Sequence, residues 1–432
     1  MESNRLVYLK NLSLDEALAK WLEKLSGMDI TSPLPPETVK VDDSLGRVTS
    51  SPVFAKSSSP HCHCAAMDGF AVRIGDTFGA SEAEPRRLAT GKEAVTIDTG
   101  DPMPDGFSAV IMIEDVEQVS DSEIEITSPA TPWQHVRTVG EDIVATELIL
   151  PENHRIRPVD MAAMLSGGIS ELPVRKKPVI TMIPTGSELV EPGKELKRGN
   201  IVESNSRLMA GMVSGWGAEA VRHEIVPDDF NAIKEAVAGA VSGSDIVAIN
   251  AGSSAGREDY TVHVMEELGE VLVHGVRIKP AKPVVLGIIE ETPVIGVPGY
   301  PVSAALATEL FIKPVVYALQ GLTTPAPPTV RVRISRKITS SLGAEEFVRV
   351  KLGKVGRLLV ATPVERGAGA LMALARADGI LRIPENCEGI KPDEEVDIEQ
   401  LRNLDAIENT IVASGSHDIT LDILASELKK CH

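Results

Sequence analysis

The most constraining feature of this sequence is a long alternation of apolar runs and amphipathic segments between Pro178 and Leu319. The apolar runs are rich in Val and Ile and have the length of strands that are buried on both faces of a sheet. The amphipathic segments carry their apolar residues at helical spacing. Strands that alternate with helices imply a mostly parallel sheet with helices on both faces, so we predict a doubly wound α/β domain over residues 177–324. The predicted strands are 178–183, 220–226, 245–250, 284–289 and 294–297, and the predicted helices are 206–216, one that begins at Asp228 or Asp229, 258–268, and 302–319 with a bend near Pro314.

The residues before this domain show two other patterns. Ser13 and Glu16 form a capping-box signature that opens a helix of about three turns. Short alternating runs separated by Gly, Pro and Asp then predict a β-rich insert domain over residues 54–137. A second helical stretch follows the insert. We therefore predict one helical, elongated linker domain that is interrupted by the insert and consists of residues 1–53 and 138–176.

A proline-rich segment, Thr323–Pro328, separates the α/β domain from the rest of the chain. Four further strand-like runs and one helix predict a small β domain over residues 325–405. The tail, residues 406–432, is predicted to form a short strand at 410–413 and then a helix. The apolar stripe of that helix consists of Leu421, Leu424 and Leu428, and it needs a partner surface. We expect this tail to be poorly ordered or to pack on another chain.

Charge and composition exclude several classes of function. The chain has 43 basic and 62 acidic residues, and its net charge of −19 repels polyanions, so nucleic acid is not an expected partner. Apolar runs such as Val284–Ile289 are too short to cross a bilayer, and the first residues lack the apolar stretch of a secretory signal. Four cysteines in 432 residues favour a reducing compartment. We expect a cytoplasmic protein without a membrane partner.

Three loops of the α/β domain follow strands on the side of the sheet where doubly wound folds bind ligands. They are Pro184–Glu188, Asn250–Asp259 and Val297–Ser303. Their small residues let backbone N–H groups approach a ligand, and the second and third loops lead into helix N-termini, which favour anions. Each loop could also be an ordinary tight turn, although that explanation is weaker for all three together.

Two other segments could contribute chemistry. Arg277–Pro283 holds three basic residues and two stiffening prolines in a very acidic chain, which fits either a phosphate anchor or a solvated charge cluster. His61–Cys64 contains soft metal ligands, but the remaining cysteines are remote in sequence and no complete tetrahedral set is visible. A polar loop that leads into Met67-Asp68-Gly69 is therefore the favoured interpretation of His61–Cys64.

Eight motifs, taken in order, resemble the molybdopterin molybdenumtransferase (MoeA) family, whose relatives include the E domain of gephyrin. They are residues 66–72, 99–106, 140–143, 184–189, 199–200 with 204–206, 252–256 with 259–260, 279–283, and 298–303. The resemblance covers about residues 12–405. It implies a multidomain α/β plus β protein with a helical linker domain, a β-rich insert, a doubly wound molybdopterin-binding α/β domain and a C-terminal β-barrel.

The resemblance also implies a reaction, in which molybdate or tungstate is inserted into adenylylated molybdopterin with Mg²⁺ and AMP is released. The implied assembly is a homodimer whose cleft lies between the insert of one subunit and the α/β domain of the other. The implied catalytic residues are Asp259, Asp142, Glu188, Lys279 and Lys282, and the implied metal ligands are Asp259, Glu188 and Asp228. The implied substrate-binding residues are Asp68, Thr99, Gly252, Ser253, Ser254, Gly256, Pro298, Gly299, Pro301 and Ser303. For Asp228, a helix N-cap is the alternative role.

The sequence departs from the family pattern at three positions. The family usually has Gly where Ser253 and Ala281 stand, and Asn where Tyr300 stands, so the preference between molybdate and tungstate is left open. Two other functions also stay open. A molybdopterin adenylyltransferase would carry a T-G-G-T-G-like run in place of residues 250–254, and a gephyrin-like scaffold would have no catalytic duty. The tail resembles the start of a periplasmic-binding-protein-like domain that is fused to some family members.

Overall fold

The computed structural model describes residues 11–251, 260–364, 366–403, 405, 407 and 419–430. The chain divides into two compact units, a large unit (Met1–Ser32, Lys177–Leu319, Thr323–His432) and a small unit (Pro33–Lys176, Gln320–Leu322). The helices are α1 (Leu14–Gly27), α2 (Ile74–Thr77), α3 (Pro158–Ser166), α4 (Asn205–Gly215), α5 (Phe230–Val241), α6 (Thr261–Leu268), α7 (Pro301–Ala307), α8 (Lys313–Leu319), α9 (Leu371–Arg376) and α10 (Ile419–Lys430).

The small unit contains separate apolar clusters, of which the insert cluster lies inside the predicted insert and the linker cluster lies among the segments predicted as the linker domain. Its strands are β1 (Pro36–Lys40), β2 (Val53–Phe54), β3 (Cys64–Ala65), β4 (Gly69–Val72), β5 (Arg86–Ala89), β6 (Ala94–Ile97), β7 (Ala109–Met112), β8 (Val116–Ser120), β9 (Glu123–Ile126), β10 (Val136–Arg137), β11 (Leu148–Leu150) and β12 (Glu171–Arg175). Two antiparallel three-stranded sheets, ordered β6-β4-β7 and β5-β9-β8, enclose the insert cluster. The linker cluster lies among the β1–β12 and β2–β11 pairs and α3.

The α/β part of the large unit is built on one six-stranded sheet. The strands in this part of the chain are β13 (Val179–Pro184), β14 (Leu189–Val190), β15 (Ile201–Val202), β16 (Glu219–Arg222), β17 (Ile246–Ala251), β18 (Glu270–His274), β19 (Ile278–Lys279), β20 (Val285–Ile289) and β21 (Thr292–Pro298), and β14, β15 and β19 lie outside the six-stranded sheet. The sheet order is β16-β13-β17-β21-β20-β18, and the first four strands are parallel. The mostly parallel sheet is thus confirmed, with two antiparallel strands, β20 and β18, at one edge. Helices α4 and α7 form one pair against the sheet, and α5 and α6 form the other.

Helix α1 begins with the predicted capping box. The Ser13 hydroxyl accepts a hydrogen bond from Glu16 N (3.3 Å), and the Glu16 carboxylate accepts one from Ser13 N (2.8 Å). The helix packs on the α/β part of the large unit, because Trp21 is fully buried and donates a hydrogen bond to Phe311 O (3.2 Å). Residues 11–32, which the prediction assigns to the linker domain, fall in the large unit, and the apolar stripe of α1 is buried there.

The C-terminal part of the large unit is a closed five-stranded barrel, as predicted. The strands in this part of the chain are β22 (Thr329–Ile334), β23 (Ile338–Thr339), β24 (Glu345–Val355), β25 (Leu358–Pro363), β26 (Gly379–Ile383), β27 (Gly389–Ile390) and β28 (Glu395–Gln400), and β23 and β27 form a separate pair outside the barrel. Closure results because β24 pairs with both β25 and β26 in the order β24-β25-β22-β28-β26. Strand β19, which carries Lys279, pairs in parallel with β24 and so joins the α/β part to the barrel.

The last helix of the α/β part, predicted over residues 302–319 with a bend near Pro314, contains an irregular turn close to that residue. Helices α7 and α8 are separated by a π-helical turn at Thr308–Ile312, just before Pro314, whose missing N–H cannot continue a regular helix. Among the described residues, Pro301–Leu319 is the one helical segment that is long and apolar enough to cross a membrane. However, 67% of its most apolar window is buried inside the protein, which is typical of a core helix.

The predicted tail helix is present as α10. Its side chains Ile419, Ile423 and Leu424 are exposed. The predicted strand at 410–413 and the side chains of Leu421 and Leu428 lie outside the described residues.

Candidate active site

A cleft of about 490 Å³ lies at the carboxyl ends of β13 and β17 in the large unit. The sheet order reverses between these two strands, because β16 follows on one side of β13 and β17 on the other. Ligands of doubly wound folds bind at such a reversal. The cleft is lined by Thr185, Glu188, Leu189, Ile201, Val202, Glu203, Ser204, Asn205, Asn250, Ala251, Gly299, Tyr300, Pro301 and Gly369.

Two buried asparagines that line this cleft form a hydrogen-bond network beneath it. Asn250, at the end of β17, donates from Nδ2 to Val297 O (3.3 Å) and Pro298 O (3.2 Å). Asn205, at the start of α4, donates from Nδ2 to Asn250 Oδ1 (3.1 Å) and Gly299 O (2.6 Å). The amide side chains therefore link the ends of β17 and β21 to the start of α4, and this fixes where the loops after those strands begin.

The first predicted loop is fixed by a carboxylate from the next βα connection. Asp228 Oδ2 accepts a hydrogen bond from Ser187 N (2.9 Å), and Asp228 N donates to Ser187 Oγ (3.1 Å). The N-cap of α5 is Asp229, which accepts from Ala232 N (2.9 Å), so Asp228 does not cap this helix. The structure thus brings Asp228 to the Pro184–Glu188 loop, where the sequence suggested a metal ligand or a helix cap.

Glu188 lines the cleft with a half-exposed side chain, and no described side chain forms a hydrogen bond or ion pair with its carboxylate. Gly186 precedes it with φ = +153°, and a Cβ at that position would lie 3.0 Å from both Glu188 carboxylate oxygens and 2.9 Å from Leu189 Cγ. A side chain at position 186 would therefore displace the Glu188 carboxylate. The geometry leaves this carboxylate available to a ligand in the cleft.

The third predicted loop contributes backbone more than side chains. Pro298 O and Gly299 O accept the asparagine hydrogen bonds, and Pro301 is the first residue of α7. Tyr300, with 60% of its surface exposed, stands at the mouth of the cleft. Ser303 is only 3% exposed inside the first turn of α7 and does not line the cleft. Pro298, which is also buried, acts through its carbonyl.

Five predicted residues of the second loop lie outside the described residues. They are Gly252, Ser253, Ser254, Gly256 and Asp259. The residues on either side, Ala251 and Tyr260, are described, and Ala251 lines the cleft. This loop therefore starts from the cleft that holds Glu188.

The cationic segment lies where the α/β part meets the barrel. Lys279 Nζ is 3.5 Å from Glu346 Oε1, and the Glu346 side chain is 4% exposed whereas that of Lys279 is 54% exposed. Glu346 also accepts a hydrogen bond from Ser340 Oγ (2.8 Å). Lys282 is exposed. Neither lysine is among the residues that line the cleft described above.

The small unit brings two predicted substrate-binding residues together. Asp68 Oδ1 accepts hydrogen bonds from Thr99 N and Thr99 Oγ1, both at 2.7 Å. These bonds, that of the hydroxyl first, lower the pKa of Asp68. Gly69 is required beside Asp68, because a Cβ there would lie 2.0 Å from Ile111 O. Asp142 is the third predicted residue of this unit. It is exposed, and its backbone N–H donates a hydrogen bond to Ser59 O (3.1 Å).

The side chains of His61–Cys64 do not converge on one point: the two cysteines contact each other, and His63 makes separate contacts. The sulfur atoms of Cys62 and Cys64 lie 3.4 Å apart. His63 Nδ1 accepts a hydrogen bond from Val139 N (3.2 Å), and its ring packs 4.7 Å from that of Trp133. The described residues contain no group of three His, Cys, Asp or Glu side chains that could hold a metal ion.

Sequence reasoning missed the residues that organise the site. Asn205 occurs in a motif and Asn250 in a predicted loop, but their buried amide network was not predicted. Glu203, 2% exposed, was missed as well, although it accepts from Ser206 N (2.7 Å) and Ser206 Oγ (2.7 Å) at the start of α4. A signal was present for Asn250, because a polar amide that ends a buried strand must find hydrogen-bond partners.

Three family models match the chain in order. They are the MoeA N-terminal region (domain I and II) at residues 12–168, a "Probable molybdopterin binding domain" at residues 181–318, and the MoeA C-terminal region (domain IV) at residues 331–401. Together they extend over the linker, insert, α/β and barrel segments. The cleft lies within residues of the second and third models.

Curated relatives are similar over most of their length. The "Putative molybdopterin biosynthesis protein" of Methanocaldococcus jannaschii is 35% identical over 380 residues, which cover 84% of this chain and 92% of the relative. Molybdopterin molybdenumtransferase 2 of Mycobacterium tuberculosis is 32% identical over 379 residues, which cover 81% of this chain and 91% of the relative. The molybdopterin molybdenumtransferase of Haemophilus influenzae is 28% identical and covers 91% and 99%, respectively.

Solved structures agree with this relation. A crystal structure of the molybdopterin biosynthesis MoeA protein of Pyrococcus horikoshii is 33% identical, covers 91% of this chain and all of the other, and superposes with a TM-score of 0.77. A second structure of the protein from that organism has a TM-score of 0.69 at 31% identity. With matched domain order, sequence identity above 30% and a shared fold over nine tenths of its length, this chain belongs to the MoeA family.

Proposed function

We propose that this chain is an enzyme of molybdenum cofactor biosynthesis that inserts molybdate or tungstate into adenylylated molybdopterin and releases AMP. The observation that carries the proposal is the cleft at the ends of β13 and β17, where the Glu188 carboxylate has no partner among the described side chains and the neighbouring loops are held by buried amides. The names of the curated relatives support the same reaction.

In this proposal different residues position the substrate and supply positive charge to it. The Asn205–Asn250 network keeps the loop ends in place, so that little reorganisation is needed when a substrate binds. Lys279 and Lys282 would supply positive charge to the phosphates and the oxyanion, which the net charge of −19 otherwise repels.

The donor set of the cleft fits Mg²⁺. This ion prefers oxygen ligands and commonly binds through one or two carboxylates together with phosphate oxygens and water. Glu188 and, from the second loop, Asp259 would hold it, while Asp228 has one oxygen already committed to Ser187. When bound, Mg²⁺ would neutralise negative charge on the phosphates.

The small unit would contribute Asp68, Thr99 and Asp142 from a second copy of the chain in a homodimer. In this proposal the two Thr99 bonds to Asp68 Oδ1 fix the orientation of the Asp68 carboxylate, which accepts hydrogen bonds from the N–H or O–H groups of the substrate. The resemblance to the family supports a homodimer. We also propose a cytoplasmic location, which the free thiols of Cys62, Cys64 and Cys387 support.

Exposed apolar side chains in the small unit support the same assembly. Phe54 of β2 and Leu148 of β11 lie opposite each other in register and are 53% and 50% exposed, and Val159 and Leu165 of α3 are also exposed. Apolar groups clustered at a surface favour a protein partner.

Phe54→Asp should shift the sedimentation coefficient from that of a dimer to that of a monomer. Phe78→Asp, which changes a similarly exposed Phe in the insert, should leave the assembly intact. A monomeric wild type, or an unchanged dimer in Phe54→Asp, would contradict this surface.

The decisive test is AMP release by the purified chain with adenylylated molybdopterin, Mg²⁺ and either oxyanion. Release that depends on molybdate or tungstate supports the proposed reaction, and comparing the two oxyanions gives the preference. Release of pyrophosphate from ATP and molybdopterin would instead identify an adenylyltransferase. Ligand binding without turnover under any of these conditions would indicate a scaffold.

A further inference from the structure

Two cysteines of the small unit have no part in the function proposed above. The sulfur atoms of Cys62 and Cys64 are 3.4 Å apart, and Cys64 Sγ also donates to Cys62 O (3.3 Å). Both side chains are half-buried, so small molecules in solution can reach them. His63 between them is engaged elsewhere, by a backbone N–H and by the ring of Trp133.

This arrangement suits thiol chemistry better than metal binding. A structural zinc site needs four ligands, and the part of the chain that the structure describes has no group of three candidate ligands. The Cys62–Cys64 pair provides two ligands only. Two thiols already in van der Waals contact are, however, the arrangement from which a disulfide of about 2.05 Å forms with a small local movement.

We propose that Cys62 and Cys64 form a redox-modification site, which a small-molecule disulfide such as oxidised glutathione converts to an intramolecular disulfide. The Cys62 thiol loses its proton and attacks one sulfur of the oxidant, which releases one glutathione thiolate that takes up a proton. The Cys64 sulfur, losing its proton, then attacks the Cys62 sulfur and displaces the second glutathione. Two protein thiols are oxidised, and one glutathione disulfide is reduced to two thiols.

The order of attack follows from the environment of the two thiols. Cys64 Sγ donates its proton to Cys62 O (3.3 Å), and burial, followed by the hydrogen bond with Cys62, raises the pKa of Cys64, so the Cys64 thiol gives up its proton less readily than an ordinary cysteine. The thiolate is the nucleophile in disulfide exchange. Cys62 is therefore the attacking residue and Cys64 the resolving one, and the pair rests in its reduced form until an oxidant is present.

The thiol pair is connected by backbone to the Asp68–Thr99 pair. Ala65, next to Cys64, donates to Asp101 O (2.9 Å) and accepts from Gly100 N (2.9 Å). His63 O accepts from Met103 N (2.8 Å). These three bonds hold the loop that carries Thr99. Because Cys64 is fixed in β3, closing the disulfide must shift the 61–63 segment and with it the bond from Met103 N to His63 O, which is one of the three that support this loop.

Oxidation should therefore loosen the hydrogen bonds from Thr99 to Asp68. Formation of the disulfide is independent of the proposed function, whereas its effect on substrate rests on that function. The two can be tested separately. A chain that oxidises as expected but has no molybdenumtransferase activity would keep this inference and overturn the proposed function.

The first test equilibrates the full chain with reduced and oxidised glutathione and measures thiols and mass. The expected product has lost two thiols and two hydrogens, with the new bond in the peptide that contains residues 61–64. Cys387→Ser, the matched control, changes a thiol of the barrel and should oxidise like the wild type. Cys62→Ser and Cys64→Ser should yield only mixed disulfides. A wild type that carries glutathione on Cys62 or Cys64, or in which these two thiols do not react, overturns the proposal.

The second test compares amide hydrogen exchange of the reduced and oxidised chain. Exchange in the peptide that contains residues 98–103 should become about tenfold faster on oxidation, and it should not change in oxidised Cys62→Ser. Identical exchange in both states of the wild type would show that the disulfide has no effect on the loop and would overturn the coupling.

Discussion

The candidate site residues of the large and small units are held in opposite ways. In the large unit, Asn205 and Asn250 are buried, and their amides join loop ends that are far apart in sequence. In the small unit, Asp68 and Thr99 are exposed on two turns and are joined by two hydrogen bonds to a single oxygen.

This difference means that losing the site residues should affect the stability of the large unit but not that of the small unit. A buried amide without partners costs about 1–3 kcal/mol, so the large unit cannot lose its site architecture without losing stability. An exposed pair exchanges its bonds with water at little cost, so the small unit can lose its site chemistry and stay folded. The following predictions test this contrast from the largest effect to the smallest.

Asn250→Ala should have the largest effect, because it leaves Asn205 Nδ2, Val297 O and Pro298 O with fewer partners in a buried place. We expect the free energy of unfolding to fall by about 3 kcal/mol and the activity to be lost. Urea denaturation measures the former. Asn231→Ala on the exposed face of α5 is the matched control and should change stability by less than about 0.5 kcal/mol. Equal stability of both variants would show that the network is dispensable.

Glu188→Gln should leave stability unchanged and reduce kcat by about 100-fold or more, since it removes a carboxylate that has no described partner in the cleft. AMP release under saturating substrate is the measurement. Glu195→Gln, an exposed change in the same connection, should be active. Nearly normal turnover by Glu188→Gln would remove this carboxylate from the mechanism.

Lys279→Ala should weaken binding of adenylylated molybdopterin about tenfold, because a charge-assisted contact to phosphate is worth about 1.5 kcal/mol. Stability should fall by less than about 1 kcal/mol, since the Lys279 side chain is 54% exposed in its pair with Glu346. Calorimetric titration checks the affinity. Lys337→Ala on the barrel surface controls for net charge. If the two variants bind alike, Lys279 is a solvated surface charge.

Thr99→Val should have the smallest effect, a rise in the pKa of Asp68 toward its ordinary value of about 3.9. The Thr99 bonds lower this pKa in the folded state, so they favour folding above the unfolded pKa, and that contribution is lost as pH falls through the folded pKa. Carboxyl NMR titration of the labelled chain is the measurement. Thr96→Val in β6 should leave the pKa of Asp68 unchanged. An unaltered value in Thr99→Val would contradict the role of the hydroxyl.

Local patterns in the sequence determined most of the fold. The capping box of α1, the buried strands β13 and β17, four of the five barrel strands and the irregularity near Pro314 all follow from residue periodicity and from single residues with fixed backbone preferences. These features depend on neighbours within a few positions, so a single sequence contains the whole signal. Gly186 belongs to the same group, because its added Cβ would meet the nearby Glu188 and Leu189, whereas Gly69 is required by a contact with Ile111 O that only the structure reveals.

Tertiary structure alone decided which distant residues meet. Asp228 reads as a helix cap, and the bridge between Thr185 and Val226 brings it to Ser187 instead. The pattern of α1 shows an apolar stripe but not its partner, which is the α/β domain and not the linker. The pairing of β18 with β20, the closure of the barrel and the amide network have the same origin. Contacts of this kind depend on register and packing between segments many residues apart, and these are properties of the folded chain that local periodicity does not encode.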